Sequence, residues 1–353
     1  MLKLLRTKQS PHSCVMAFQP TYSMRMRVGS NLVVTLFGES HGPAVGALID
    51  GYPSGHRIDA EQLLIDMDSR KPGTSRLASM RKESDKVEIL SGVYEGNSTG
   101  LPILLLIRNE DVKSKDYSFL PNLPRPGHVD HPIDIKTDGY ADLRGGGSFS
   151  ARLTAGLVAA GSLSRSILPK DWKIEAKVGA LGGLEGVEAE ALASQVKKAG
   201  DSLGSRVDLT ISGLPVGFGE PWFDGIEPVL ARALMAIPAA RAVEFGRGVE
   251  SGVMRGSEHN DAWQDGMSLK PGADGALGGM ATGAALKVRI TFKPPSGISM
   301  PQTTFNKAKN SMDELQIKGR HDPVIAPRAR PVVEAVTRLV IADLAIKGGY
   351  IDG

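Results

Sequence analysis

The chain has 353 residues, 41% hydrophobic and 23% charged, which is enough to bury a full core and ordinary for a globular protein. Its formal net charge of +3 is too small to argue for wholesale nucleic-acid binding. No apolar run reaches the ~18–20 residues that span a membrane, and the single cysteine, Cys14, excludes an internal disulfide and allows a reducing compartment.

Residues 1–23 lack clear periodicity and acidic side chains, the first acid being Glu39. They are expected to form an amino-terminal extension, disordered or missing from the mature protein, with Met24 or Met26 as the true start. Residues 24–353 are expected to form one catalytic domain, since no repeat or linker divides them. Leu32–Phe37 is an apolar run readable as a buried strand, and Asp59–Ser69 has the spacing of a helix with Leu63, Leu64 and Met67 on one face. Val87–Tyr94 and Leu101–Ile107, joined by Glu95 to Gly100, predict a hairpin. Asn109 to Asp138 is polar, carries four prolines and reads as a long functional loop. Helical spacing returns over Ser150–Leu168, Val187–Ala199, Glu227–Ile237 and Pro331–Ile346, the last opening on a proline. Arg206–Ile211 and Leu286–Phe292 alternate as strands. The hairpin and the alternation favour antiparallel pairing, hence an α+β fold rather than a doubly wound parallel sheet.

Glycine supplies 42 residues, about 12% against a usual ~7%, so the chain needs many tight loops or backbone close to a ligand. Several of these loops carry ionisable groups. Gly38-Glu39-Ser40-His41-Gly42 presents His41 directly after a strand, as a structural or a catalytic histidine. Arg70-Lys71-Pro72-Gly73-Thr74-Ser75-Arg76 is either a solvated basic face or a turn aiming two guanidinium groups at one carboxylate or phosphate. If the segment is a polar loop, a substitution at Arg70 should weaken binding more than folding. Arg125-Pro126-Gly127-His128-Val129-Asp130-His131 offers imidazoles beside a carboxylate, but no Cys/His partner set has zinc-like spacing. Asp142 to Arg152 places three glycines before a helix, where free backbone N–H groups favour an anion. Arg320-His321-Asp322-Pro323 sets a guanidinium, an imidazole and a carboxylate just before the last helix. Jointly these loops are what a site handling a multiply anionic small molecule requires.

In this order the motifs resemble chorismate synthase, as do Ala233-Leu234-Met235-Ala236-Ile237 with Val243-Glu244-Phe245-Gly246, and Gly278 to Gly283; the likeness covers roughly residues 28 to 346. The resemblance implies a β-α-β sandwich subunit, a homotetramer and a cytoplasmic lyase of the shikimate pathway that serves aromatic amino acid biosynthesis. It implies an anti-1,4-elimination of phosphate from 5-enolpyruvylshikimate 3-phosphate to give chorismate. Reduced FMN (FMNH2) is required without net redox change, and NADPH is admitted as reductant. His41 would act as a proton donor near the flavin, His128 would protonate or assist the departing phosphate, and Asp322 would help remove the C6 hydrogen. Arg70, Arg76, Arg125, Arg152 and Arg320 would neutralise phosphate and carboxylates, Arg70 and Arg76 also matching positions assigned to a nicotinamide dinucleotide phosphate. Ser148, Phe149, Ser150, Ala239, Gly278, Lys293, Pro294, Pro295, Ser296, Gly297 and Arg320 match flavin-binding stretches. This chain departs from the usual pattern at Ser148, Pro238, Pro295 and Gly297. Two other readings compete: a metal-dependent phosphatase built on His128, Asp130 and His131, and a non-catalytic anion-binding homologue. Neither a nucleic acid nor a membrane is expected as a partner.

Overall fold

The computed structural model describes residues 24–71, 84–110, 114–268, 274–317 and 321–351. The amino-terminal extension, Arg76 and Arg320 lie outside them.

Two antiparallel sheets enclose a layer of helices. The first sheet runs Arg27–Val28, Val33–Gly38, Ala44–Asp50, Ile103–Arg108, Val87–Ile89 in spatial order, and the second runs Ala240–Phe245, Leu286–Phe292, Ser205–Ser212, Lys173–Leu181. Every pairing in both is antiparallel. This is an α+β, β-α-β sandwich, and the alternation of Leu286–Phe292 correctly places one face of that strand in the core.

The helical layer is thin because its residues are small. Thr154–Leu163 is buried on nearly every side. A Cβ on Gly156 would lie 2.7 Å from the Gly46 carbonyl of the first sheet, and one on Gly161 would lie 2.6 Å from Ala335 Cβ on the carboxy-terminal helix. That helix, Ala326–Lys347, has 16 buried residues and packs against both Thr154–Leu163 and the second sheet. One continuous apolar core therefore runs through both sheets.

Several sequence boundaries shift. Pro331, expected to open the last helix, sits inside it; the start moves back to Ala326, with Pro327 in the first turn. In the first turn Pro327 forfeits no intrahelical hydrogen bond, whereas Pro331, one turn further in, forfeits one. The hairpin forms, with Val87–Ile89 pairing Ile103–Arg108, but its tip folds into a separate ribbon, Val93–Tyr94 with Asn97–Ser98. The long loop holds a 3-10 turn, Ser114–Tyr117, and a helix, Asp130–Lys136. Periodicity could not reveal such short elements, whose order comes from side chains that meet in space.

Near the chain ends, the Asp343 carboxylate accepts hydrogen bonds from the backbone N–H groups of Ser30, Asn31 and Leu32 at 2.6–3.0 Å. The strand Arg27–Val28 is thereby pinned to the carboxy-terminal helix. Among the described residues no helix is long and apolar enough to cross a membrane.

Candidate active site

A cavity of about 1010 Å³ opens between the two sheets. Its walls include His41, Arg70, Arg125, His128, Ser148, Phe149, Ser150, Ala239, Asp322 and the whole of Lys293–Gly297. Residues more than 280 positions apart thus meet around one space.

The three consecutive glycines set the centre. Gly145, Gly146 and Gly147 have φ of +60°, +88° and +52°, conformations that any other residue adopts only at a cost. A Cβ on Gly145 would lie 2.6 Å from the His41 ring, and one on Gly146 would lie 3.3 Å from Cε1 and Nε2 of His128. The two imidazoles therefore lie against successive glycines. The loop is tied in place by the Ser40 N–H, which donates to the Gly147 carbonyl at 3.1 Å, and by Ser148 Oγ, which donates to the Gly38 carbonyl at 3.2 Å. Gly145→Ala should lower turnover about 10–100-fold by displacing His41 and destabilise by about 1–2 kcal/mol through the strained backbone. Steady-state kinetics with a melt would check this, and unchanged kcat would show that the His41 position does not matter.

Each histidine is oriented by a second group. His41 Nδ1 lies 3.1 Å from Ser114 Oγ, and its ring meets Tyr117 edge-on at 5.1 Å. The guanidinium of Arg125 sits 5.5 Å from the centre of the same Tyr117 ring. His128 Nδ1 lies 2.7 Å from Asp130 Oδ1. In the imidazolium Nδ1–H donates to this carboxylate, whereas in the neutral ring Nδ1 can instead accept from Arg125 Nη2 at 3.1 Å; Nε2 is left to the glycine loop in both. Burial pushes the Asp130 carboxyl up, but hydrogen bonds from Arg125 and His128, with their charges, hold it well below the usual carboxylate range.

The arginines divide into two groups. Arg125 grips Asp130 with Nε and Nη2 at 2.7 Å each and still lines the cavity. Arg70 is the last residue of the helix Ala60–Arg70 and is 3% exposed, which corrects its reading as part of a polar loop. It bonds Asp85 at 2.7 Å, Thr154 Oγ1 at 3.3 Å, and the carbonyls of Ala151 and Arg152. Burial lowers its pKa to about 10 despite the charge of Asp85. Arg152 does not line the cavity: it sits behind the wall, bonded to Asp85, to Asn109 Oδ1 at 2.9 Å and to the Arg108 carbonyl at 3.0 Å. Asp85 is enclosed by these two arginines. Burial raises its carboxyl, yet the paired guanidinium charges and their hydrogen bonds bring it below the ordinary value.

Asp322, which also lines the cavity, pairs with Arg328 at 2.7 Å. Lys293 donates through Nζ to the Gly127 carbonyl, joining the flavin-matching stretch to the histidine loop. Ala239 holds φ +70° and accepts a hydrogen bond from the Lys293 N–H at 3.0 Å. A non-glycine residue in that region costs about 1–2 kcal/mol, and such strain concentrates at ligand sites. Gly278 does not line the cavity; it lies in the hairpin Ala276–Leu277 and Met280–Ala281. Sequence reasoning missed Tyr117, Arg328, Arg25, Arg27, Arg232 and Arg241, all of which line the cavity. No glycine motif marks them, and single charges on helices or strands read as solvent-facing.

No group of three or more metal-ligating side chains occurs among the described residues. His131 is exposed and does not line the cavity, so it does not join His128 and Asp130, which meet at 2.7 Å with both Asp130 oxygens engaged by Arg125.

A family model described as chorismate synthase matches residues 32–346. The chain belongs to the chorismate synthase family. It is 42% identical to a chorismate synthase of Burkholderia cenocepacia (strain HI2424) over 346 residues, which cover 91% of this chain and 93% of the relative. It is 43% identical to a chorismate synthase of Ralstonia pickettii (strain 12J) over 338 residues, 89% of this chain and 92% of that one. A crystal structure of chorismate synthase superposes with a TM-score of 0.69 at 26% identity, covering 91% and 93% of the two chains. The family is one of enzymes, and the likeness of fold extends to the sandwich described above.

Proposed function

We propose that this chain eliminates phosphate from 5-enolpyruvylshikimate 3-phosphate to give chorismate, as a lyase that requires reduced FMN. The observation that carries this reading is the meeting of His41 and His128 on successive glycines, in a cavity that Asp322 also lines. The cavity suits the ligand pair: at about 1010 Å³ it reaches the top of the roughly 300–1,000 Å³ expected for one ligand. Leu36, Leu157, Ile325, Val332 and Val336 give it aliphatic lining for a ring system, and the cations give it charge for anions.

In the reaction the C3–O bond breaks, a proton leaves C6, and the ring gains a double bond. Protonated His128, held by Asp130, can donate from Nε2 to the departing phosphate oxygen, which a general acid with a pKa near neutrality suits. Asp322, oriented by Arg328, can hold the proton taken from C6. His41 stands ready as a second proton donor, its ring fixed by Ser114 and Tyr117. Arg125, with Arg70 in the wall, offsets the charge of a substrate bearing a phosphate and two carboxylates, which would otherwise be very costly to desolvate. Ser148–Ser150, Ala239 and Lys293–Gly297 would hold the flavin, which when bound supplies electron density that no side chain can. NADPH as its reductant, a cytoplasmic location and residues 24–353 as one catalytic domain complete the reading.

A homotetramer is part of the same proposal. Trp222 and Phe223, 81% and 88% exposed, are too large and too close together for a surface that only meets water. The hairpin carrying Gly278 packs beside them, through the Ile226 N–H that donates to the Gly279 carbonyl at 2.9 Å. A flavin role for Gly278 then requires the cavity of a neighbouring subunit.

The test is an anaerobic assay with the substrate and chemically reduced FMN. Chorismate should form only with reduced flavin and be indifferent to a chelator. Phosphate release without flavin, abolished by the chelator, would establish the phosphatase reading instead.

A further inference from the structure

The cations of the cavity are not equivalent. Seven arginines and Lys293 line it against two carboxylates, Asp116 and Asp322. Arg70, Arg125 and Arg328 each carry a carboxylate partner, respectively Asp85, Asp130 and Asp322. Arg25, Arg27, Arg232 and Arg241 carry none among the described residues, and all four are exposed to the cavity.

Their placement follows from the sheets. Arg27 lies on the edge strand of the first sheet and Arg25 two residues before it; Arg241 lies on the edge strand of the second. Arg232 projects from the helix Ile226–Met235, which packs on that second edge strand. Arginine on an edge strand can serve only to discourage pairing with another chain. Arg241 has a further feature. The register against Leu286–Phe292 slips between Ala240 and Ala242, so Arg241 is the extra residue of a bulge, the device by which a strand re-aims one side chain. It reaches close enough to Lys293 for the two charges to repel; burial, and then that repulsion, lowers the lysine's pKa. Like charges gathered without counter-charges stay together at least cost when an anion sits between them.

We infer that Arg25, Arg27, Arg232 and Arg241 form a second anion pole of the same cavity, which takes a phosphomonoester dianion. The inference rests on the function proposed above, which offers two sources for that group, the flavin phosphate and the substrate phosphate. Arg25→Ser with Arg27→Ser, and Arg241→Ser alone, should fold normally because these side chains are exposed. Flavin fluorescence titrations should show FMN binding weakened at least ~10-fold in the variants, as loss of charge-assisted hydrogen bonds requires, with riboflavin binding unchanged. If FMN is unaffected but the KM for the phosphorylated substrate rises by a similar factor, the pole stands and serves the substrate. Equal losses for FMN and riboflavin, or no change for either flavin or for substrate, would overturn it. A wild-type protein that neither binds FMN nor turns over would sink the proposed function instead. Calorimetric titration with inorganic phosphate would then decide the pole: binding lost in the variants supports it, and binding retained ends it.

Discussion

Replacing His128 with alanine is expected to slow turnover by about 10²–10⁴-fold while leaving the fold intact. The imidazole is half-buried at the cavity wall, so its removal opens no core and leaves Asp130 still gripped by Arg125 through two short bonds. The loss should fall on kcat more than on KM, because a proton donor to the departing oxygen acts mainly in the transition state. Asp130→Asn should give a smaller loss together with an alkaline limb of the kcat/KM profile moved to lower pH, since the imidazolium that must donate the proton loses its carboxylate partner. Near-normal turnover of the alanine variant would remove His128 from the mechanism. An unmoved pH profile in the asparagine variant would remove Asp130 as its positioning residue.

The largest stability effect is expected at Asp85, whose carboxylate is fully buried between Arg70 and Arg152. Taking away one partner of a buried ion pair costs about 3–5 kcal/mol, because the remaining charge is left uncompensated. Here two guanidinium groups would be left so. Asp85 also has φ +50°, which asparagine tolerates better than alanine, so Asp85→Asn isolates the charge from the backbone strain. Against total stabilities of 5–15 kcal/mol typical of native domains, denaturant titration should register a loss of at least ~2 kcal/mol. A loss below about 0.5 kcal/mol, the scale of an ordinary surface substitution, would show the triad to be dispensable. The pH dependence has a fixed sign. Since the folded carboxyl sits below its unfolded value of about 3.9, its contribution is fully present above roughly pH 4 and fades as pH falls through the folded value. The gap between wild type and Asp85→Asn should therefore stay constant from about pH 5 to 8 and narrow only below about pH 4.

This triad alters the meaning of two arginines. Arg70 and Arg152 sit in glycine-rich or turn-forming motifs and read as ligand grips, yet the carboxylate each holds is Asp85, 15 residues from one and 67 from the other. Arg152→Ala should accordingly unfold the protein more readily than it weakens substrate binding.

Much of the site was legible beforehand because glycine and proline mark where backbone must turn beside a charged group. The Gly38–Gly42, Arg125–His128 and Lys293–Gly297 segments all reach the cavity, as does Ser148–Ser150. Arg25, Arg27, Arg232, Arg241 and Arg328 carried no such mark, and only the convergence of two sheet edges and two helices brings them there.

By itself the amino-acid sequence determined the antiparallel α+β character, most helix and strand positions and the order of the charged loops, because hydrophobic period and turn chemistry are local properties. The tertiary structure alone decided which cation faces the cavity and which faces a carboxylate. It also seated His41 and His128 on neighbouring glycines and excluded His131. The physical reason is that desolvation and ion pairing depend on distances through space between residues far apart in the chain, which no local pattern encodes.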